Sequence, residues 1–260
     1  MNILIVGAGI CGSALTIAAV RAGHTVTLVN DDQPMDSLSA AAVLRRAWHA
    51  GSERALFNRT LDLYAEWDIQ LLTGAVVTSY RRSEPKYDPD WRMIDPAAPL
   101  VTASVSGHAV GVGEGVVRVG EQTFHPDATL WATGRYGGEV TGVTYGVTWV
   151  HDNPDAALID PAHMRVHHIA PYKSVMAGEV GGRARFGSSS ATSSDKARQQ
   201  AKDMYALGVR EGIIRDDSGW YAVSGQRVKT APNATLGGMH RTGYALAPAL
   251  AERIIARIGR

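Results

Sequence analysis

The chain opens on an unbroken apolar run, Asn2-Ile3-Leu4-Ile5-Val6, without the alternation of a strand that keeps one face wet. That pattern predicts a strand buried on both sides of a parallel sheet. It passes directly into Gly7-Ala8-Gly9-Ile10-Cys11-Gly12; residues 13–22 then read as a helix, and Gly23 is placed to end it. A second strand over 24–29 completes a β-α-β start. A helical pattern runs from Arg45-Arg46-Ala47-Trp48-His49 to Trp67. Strand character returns over 69–80, 100–105, 109–119 and 143–150, punctuated by turns at Asp88-Pro89-Asp90 and at Gly111-Val112-Gly113-Glu114-Gly115. Thr129-Leu130-Trp131-Ala132-Thr133-Gly134 reads as another buried strand. Residues 164–169 and 174–188 suggest a hairpin, and 195–214 an amphipathic helix. The chain closes on a second Gly-rich loop, Gly237-Gly238-Met239-His240-Arg241-Thr242-Gly243, which feeds the apolar helix of Tyr244-Ala245-Leu246-Ala247-Pro248-Ala249.

The first loop matches G-x-G-x-x-G between a strand and a helix, with a second strand beyond, which is the setting of a dinucleotide site. The first glycine permits the tight turn and the second lets backbone approach a pyrophosphate. The third lets helix and strand pack closely, with the positive helix N-terminus facing the anion. Gly7, Gly9, Ile10, Cys11 and Gly12 are therefore candidate phosphate contacts. The second strand ends on Asn30, where a carboxylate normally meets the adenosine ribose, and Asp31 and Asp32 follow. Asn30 offers a weaker, uncharged acceptor, and Asp31 is the alternative.

Composition narrows the class. With 260 residues, 45% apolar, 20% charged and a net charge of +1, the chain reads as an ordinary globular protein and not a general polyanion binder. Cys11 is the only cysteine, so no intrachain disulfide forms, which suits a reducing cytoplasm. The N-terminal run lacks a basic flank and is broken by glycines, so it reads as a core strand, not an export signal. No stretch has the apolar length to cross a bilayer. His163, His167 and His168 lack partners at metal-ligand spacing, so no metal is expected.

The two Gly-rich loops at opposite ends, the Ser37-Leu38-Ser39-Ala40-Ala41-Ala42 segment and the Ala-Thr-Gly strand end together resemble the D-amino-acid oxidase superfamily of FAD enzymes. Within it, the C-terminal loop and its Leu246-Ala247-Pro248-Ala249 helix are most similar to glycine oxidase, and residues 45–67 to sarcosine oxidase. The resemblance implies an α/β fold, a Rossmann-type FAD-binding domain carrying an inserted, mostly antiparallel β substrate domain. It would divide the chain into 1–45, 101–141 and 226–260 for FAD and 46–100 and 142–225 for substrate, in a member short for its superfamily. It adds Ser39, Ala40, Arg45, Thr133, Gly134, Gly238, Met239, His240, Thr242 and Gly243 to the cofactor contacts. Gly225-Gln226-Arg227 resembles the segment whose arginine clamps a substrate carboxylate, although Val228 replaces the usual proline and the path from Arg227 to His240 is shortened. Arg241 matches a loop arginine near flavin and substrate. Arg185 falls near a lysine that activates oxygen in sarcosine oxidase; read from the residues alone, Arg183 and Arg185 alternate with Ala184 and face solvent. Cys11 reads as a small residue at a loop-helix junction and not as a nucleophile.

The function implied is FAD-dependent oxidation of the C–N bond of glycine or a glycine-like amine to an imine that hydrolyses, with oxygen giving hydrogen peroxide. An alternative keeps the chemistry and takes a glycyl-modified nucleobase in DNA or RNA, using Arg45, Arg46, Arg81, Arg82, Arg183 and Arg185; near-neutral charge counts against it. A non-catalytic FAD-binding protein is the third reading. A flavin monooxygenase is disfavoured because the chain contains no Gly-Asp dipeptide. The partners expected are a small amine or amino acid, with no membrane.

Overall fold

The computed structural model describes residues 1–258 apart from 32, 34, 81, 171 and 172. Asp32, Arg81 and the side chain of Arg82 therefore lie outside the described part. In chain order the elements begin with β1 (Asn2–Val6), α1 (Ile10–Arg21), β2 (Thr25–Asn30), β3 (Val43–Arg45), α2 (Gly51–Glu66), β4 (Leu71–Ser79) and β5 (Arg82–Ile94). Next come β6 (Val105–Ser106), β7 (Ala109–Gly113), β8 (Val116–Val119), β9 (Gln122–Phe124), β10 (Ala128–Trp131) and β11 (Thr144–His151). The remainder is α3 (Pro154–Ala157), β12 (Met164–Ala170), β13 (Lys173–Val180), β14 (Arg183–Ala191), α4 (Ser194–Arg210), β15 (Tyr221–Arg227) and α5 (Gly243–Ile258).

These form an α/β fold with a parallel sheet ordered β10-β1-β2-β6, a larger sheet ordered β15-β11-β14-β13-β12-β4-β5-β3, and a small antiparallel sheet β7-β8-β9. The large sheet is antiparallel except where β12 meets β4. Strand β1 is buried on both faces, as its unbroken apolar run requires. Ile3 and Ile5 join Leu28 and Leu130 under α1, α2 and α5, while Leu4 and Val6 join Val29, Val117 and Val119 under the small sheet. The two-residue strand period sends successive side chains to opposite cores.

Helix α5 packs against α1 and α2, and its sequence carries a built-in defect. Pro248 lies inside it and has no N–H to give the carbonyl of Tyr244 four residues back. The buried Tyr64 hydroxyl of α2 donates to that carbonyl instead, at 2.6 Å. Leaving such a carbonyl unpaired costs about 1–3 kcal/mol, so the repair binds α2 to α5. Arg59 reinforces the contact with a two-pronged pairing to Glu252 at 2.5 and 2.8 Å. The Arg59 hydrogen bonds hold the Glu252 carboxyl below its usual 4.5. A lowered carboxyl pKa contributes stability above the unfolded value that is lost as pH falls through the folded one. Glu252→Gln should therefore lower Tm modestly at pH 7, and the difference from wild type should vanish in scans well below pH 4.5.

Three expectations are corrected. Residues 100–105 do not form a strand; only Val105–Ser106 pairs, at the edge beside β2. Pro96 and Pro99 lack amide donors, and the segment closes turns from Asp95 to Ala98 and Ala97 to Leu100. Asp88-Pro89-Asp90 is not a turn between elements but a bulge within β5, where pairing jumps from Thr73–Arg92 to Ala75–Asp88. The Asp88 carboxylate holds the bulge by accepting from the Asp90 amide, Trp91 Nε1 and Arg45. The helix toward Trp67 starts only at Gly51, whose φ of +53° breaks it from the short 3-10 turn Arg46–Trp48.

Candidate functional site

The parallel strands β1, β2 and β10 all end at one cavity of about 1040 Å³, which also reaches the inner face of the large sheet. A crevice beyond the carboxyl ends of parallel strands is where open α/β sheets receive ligands. Gly7 has a φ of +105°, and a Cβ there would sit 2.5 Å from the Ala132 carbonyl oxygen. A Cβ on Gly12 would sit 1.6 Å from the Gly7 oxygen, so Gly12 lies behind the wall as the packing glycine. Gly9, Ile10 and Cys11 line the cavity. Gly9 caps α1 without a side chain, no acidic residue occupies the first turn, and the Ile10 amide donates to Ser37 Oγ at 3.0 Å. A helix start of this kind favours an anion. Burial pushes the Cys11 thiol up to about 12, so it stays neutral beside such an anion.

Asn30 and Asp31 line the same cavity at the end of β2. Asn30 Oδ1 accepts from the Ala8 amide at 3.3 Å, and Asn30 Nδ2 donates to the Asp31 backbone carbonyl at 2.6 Å, so the Asn30 side chain ties its own strand to the glycine loop. Thr133 and Gly134 line it at the end of β10, and Thr133 Oγ1 is buried with no hydrogen-bond partner among the described residues. The glycine cradle, the helix start free of acidic residues and this hydroxyl fit a dinucleotide's phosphates and sugar. Gly238, Met239, His240, Arg241, Thr242 and Gly243 form the facing wall. Gly238 has a φ of +64°, and a Cβ there would also lie 2.9 Å from the Lys229 oxygen.

Arg227, at the end of β15, lines the cavity from the large sheet. Its guanidinium crosses the Gly146 position of β11, where a Cβ would come within 2.6 Å of Cζ and Nη2. Burial, and next the charge of Arg241, pull Arg227 down to about 10, while Asp36 opposes the shift. Asp36 accepts from the Gln226 amide at 2.8 Å and pairs with Arg135 at 3.1 Å. Burial raises its carboxyl despite these partners. His240 has a φ of +45° and shares a 3.0 Å hydrogen bond with Thr144. Burial and Arg241 lower its pKa, which keeps the ring neutral at pH 7.

Other expected residues stand elsewhere. Ala40 lines the cavity, whereas Ser39 is buried behind it, donating to the Asp36 carbonyl and accepting from Thr148 Oγ1 through its own carbonyl. Arg45 is outside, paired with Asp88 at 3.0 Å and stacked over Trp91 at 4.6 Å. Arg185 neither faces solvent nor lines the cavity: it is 3% exposed, 3.6 Å from Asp95, and donates to the Leu38 carbonyl. Arg183 pairs with Asp152 at the surface. Among the described residues no metal-binding cluster exists. Among the described residues no helix is long and apolar enough to cross a membrane. Sequence reading missed Asp36, Ser37, Trp48, Glu53, Met176 and Met204 as cavity residues. Ser37 belongs to the Ser37–Ala42 segment, which was a usable signal, and Asp36 immediately precedes it; the two methionines carried none.

No protein-family model and no curated protein matches the sequence. The structure is similar to iminodiacetate oxidase from Chelativorans sp. BNC1, with a TM-score of 0.74 at 14% identity, over 99% of this chain and 95% of that one. It is similar to glycine oxidase from Bacillus cereus ATCC 14579, with a TM-score of 0.67 at 13% identity over 99% and 94%. An FAD-dependent oxidoreductase from Pseudomonas aeruginosa matches with a TM-score of 0.69 at 16% identity over 99% and 90%. The protein thus has the fold shared by these oxidoreductases.

Proposed function

We propose that the protein is an FAD-dependent oxidoreductase that oxidises the C–N bond of glycine or an N-substituted glycine, with dioxygen as final acceptor and hydrogen peroxide as product. The observation that carries this reading is the placement of Arg227: a half-buried guanidinium facing the same cavity as the glycine cradle at the start of α1. The similarity to iminodiacetate and glycine oxidases supports the substrate class.

Gly7, Gly9 and the start of α1 would hold the pyrophosphate, Asn30 or Asp31 the adenosine ribose, and Thr133 with the loop 238–243 the remainder of the cofactor. Bound FAD would supply the two-electron acceptor for the hydride leaving the substrate α-carbon. Arg227 takes the substrate carboxylate through two parallel hydrogen bonds and so fixes the α-carbon in place. The amine must be neutral for its lone pair to form the C=N bond as the hydride leaves. Neutral His240, held by Thr144, adds no cation beside it. Water then attacks the imine carbon and releases the amine and the carbonyl product. No side chain need act as a nucleophile.

A second reading, a glycyl-modified nucleobase as substrate, rests on Trp48, which is 52% exposed while lining the cavity and so offers a stacking face at its rim. Carboxylates engage Arg45, Arg183 and Arg185 of the arginines expected to serve it. Anaerobic absorbance of the FAD-loaded protein tests both. Bleaching by glycine or N-methylglycine is expected. Bleaching only by an oligonucleotide carrying a glycyl-modified base moves the substrate to nucleic acid, and none with any amine leaves a binding protein.

A further inference from the structure

The inner face of the large sheet has a gap at Gly187. On β14, Ala184 and Phe186 point to the outer face and pack with Leu207, Ile213 and Ile214 in and after α4. On β13, Val175 and Ala177 point the same way, so Ser174 and Met176 face inward and line the cavity. Pairing of β14 with β11 slips between Val147 and Trp149, opposite Gly187, whose φ is +63°. A bulge with no side chain opens the sheet there. Met204 of α4 fills the opening from outside: a Cβ on Gly187 would lie 2.8 Å from the Met204 methyl carbon. Met204 lines the cavity although its helix packs on the sheet's far face. Met176 stands one step beyond the Ala177–Phe186 pair, beside the same opening. Two thioethers, carried on opposite sides of the sheet, therefore line the same cavity.

We infer that Met204, threaded past Gly187, closes the end of the cavity remote from Arg227 and sets the size of the apolar substituent carried by the amine substrate. This rests on the amine-oxidation reading. The Arg227 guanidinium reaches over Gly146 of β11, and the strand order β15-β11-β14-β13 puts Met176 two strands from there, or about 10 Å at the usual spacing. A carboxylate held by Arg227 leaves that distance for the nitrogen and its substituent. Methionine is unbranched and polarizable, which suits a pocket accepting flat or straight apolar groups. A charged substituent would be desolvated there without a partner.

The test uses the FAD-loaded protein, titrated anaerobically with N-methylglycine and N-benzylglycine. Two quantities are read: perturbation of flavin absorbance on binding, and the rate of bleaching. Met204→Ala should raise the N-benzyl to N-methyl preference by about tenfold, the scale of a hydrophobic pocket's discrimination. Met204→Phe should lower it. An unchanged ratio in both variants, with only a lower Tm, would show that Met204 merely fills the sheet and would overturn the inference. If wild type is bleached by neither compound, the amine-oxidation reading fails, while the ratio of binding affinities still decides the role of Met204. No perturbation by either ligand in any variant overturns the inference as well.

Discussion

Arg227→Ala is expected to lower kcat/KM for glycine-like amines by about 10²–10³-fold, the range for removing one partner of a buried, hydrogen-bonded charge pair. Arg227→Lys should recover only part of that loss, because an ammonium cannot present two parallel donors to a carboxylate. The geometry explains why no neighbour substitutes. Arg241 is exposed, and Arg135 is held by Asp36, so neither stands where the guanidinium crosses Gly146. The pH dependence gives a separate check with a defined sign. Burial and the charge of Arg241 pull Arg227 down to about 10, so its charged form declines as pH rises through that value. Affinity for a simple carboxylate lacking an amine, measured by flavin absorbance, should be flat from pH 7 to 9 and fall above 10. An affinity that ignores both the substitution and the pH would place the carboxylate elsewhere.

The second large effect concerns the first loop, where two glycines carry different burdens. Gly12→Ala puts a methyl 1.6 Å from the Gly7 oxygen, a backbone atom that cannot rotate away. Helix α1 and the β1 turn would have to separate, which is expected to cost at least about 3 kcal/mol and yield protein without flavin. Gly9→Ala meets only the Ser37 hydroxyl, at 3.1 Å, and Gly9 has an ordinary φ of −64°. That variant should keep the apo-protein Tm and lose cofactor affinity instead, because the added methyl stands in the cavity wall. Thermal unfolding of the apo forms, beside FAD binding followed by fluorescence quenching, separates the two. Equal behaviour of both variants would contradict this division of roles.

Local chemistry explains what could be read without coordinates. The β1 run, the glycine spacing and the apolar α5 are short-range patterns, and their physics is complete within a dozen residues. The fold class followed from the family resemblance that these motifs carry. The expectation for 100–105 failed because Pro96 and Pro99 outweigh apolar content once the segment must cross from one sheet to the other. The Asp88 bulge was hidden for a different reason: the carboxylate that would cap a turn is recruited by Arg45 and Trp91, distant in sequence or set by the register of β3 on β5. Arg185 followed neither reading of its sequence context, since its alternation on β14 is real but both sides of that sheet are covered.

The sequence by itself determined a parallel-sheet start with a dinucleotide-type loop, a second glycine loop at the other end and an arginine after Gly225. These rest on backbone requirements and on periodicity, which need no partner to be recognised. Only the tertiary structure decided that the two loops and Arg227 share one cavity, that Asp36 holds Arg135 and faces Arg227, and that Met204 reaches the cavity through a neighbouring sheet. The paths of Arg227 and Met204 depend on missing side chains at Gly146 and Gly187, and neither spacing nor composition encodes which distant residue will fill the space a glycine leaves.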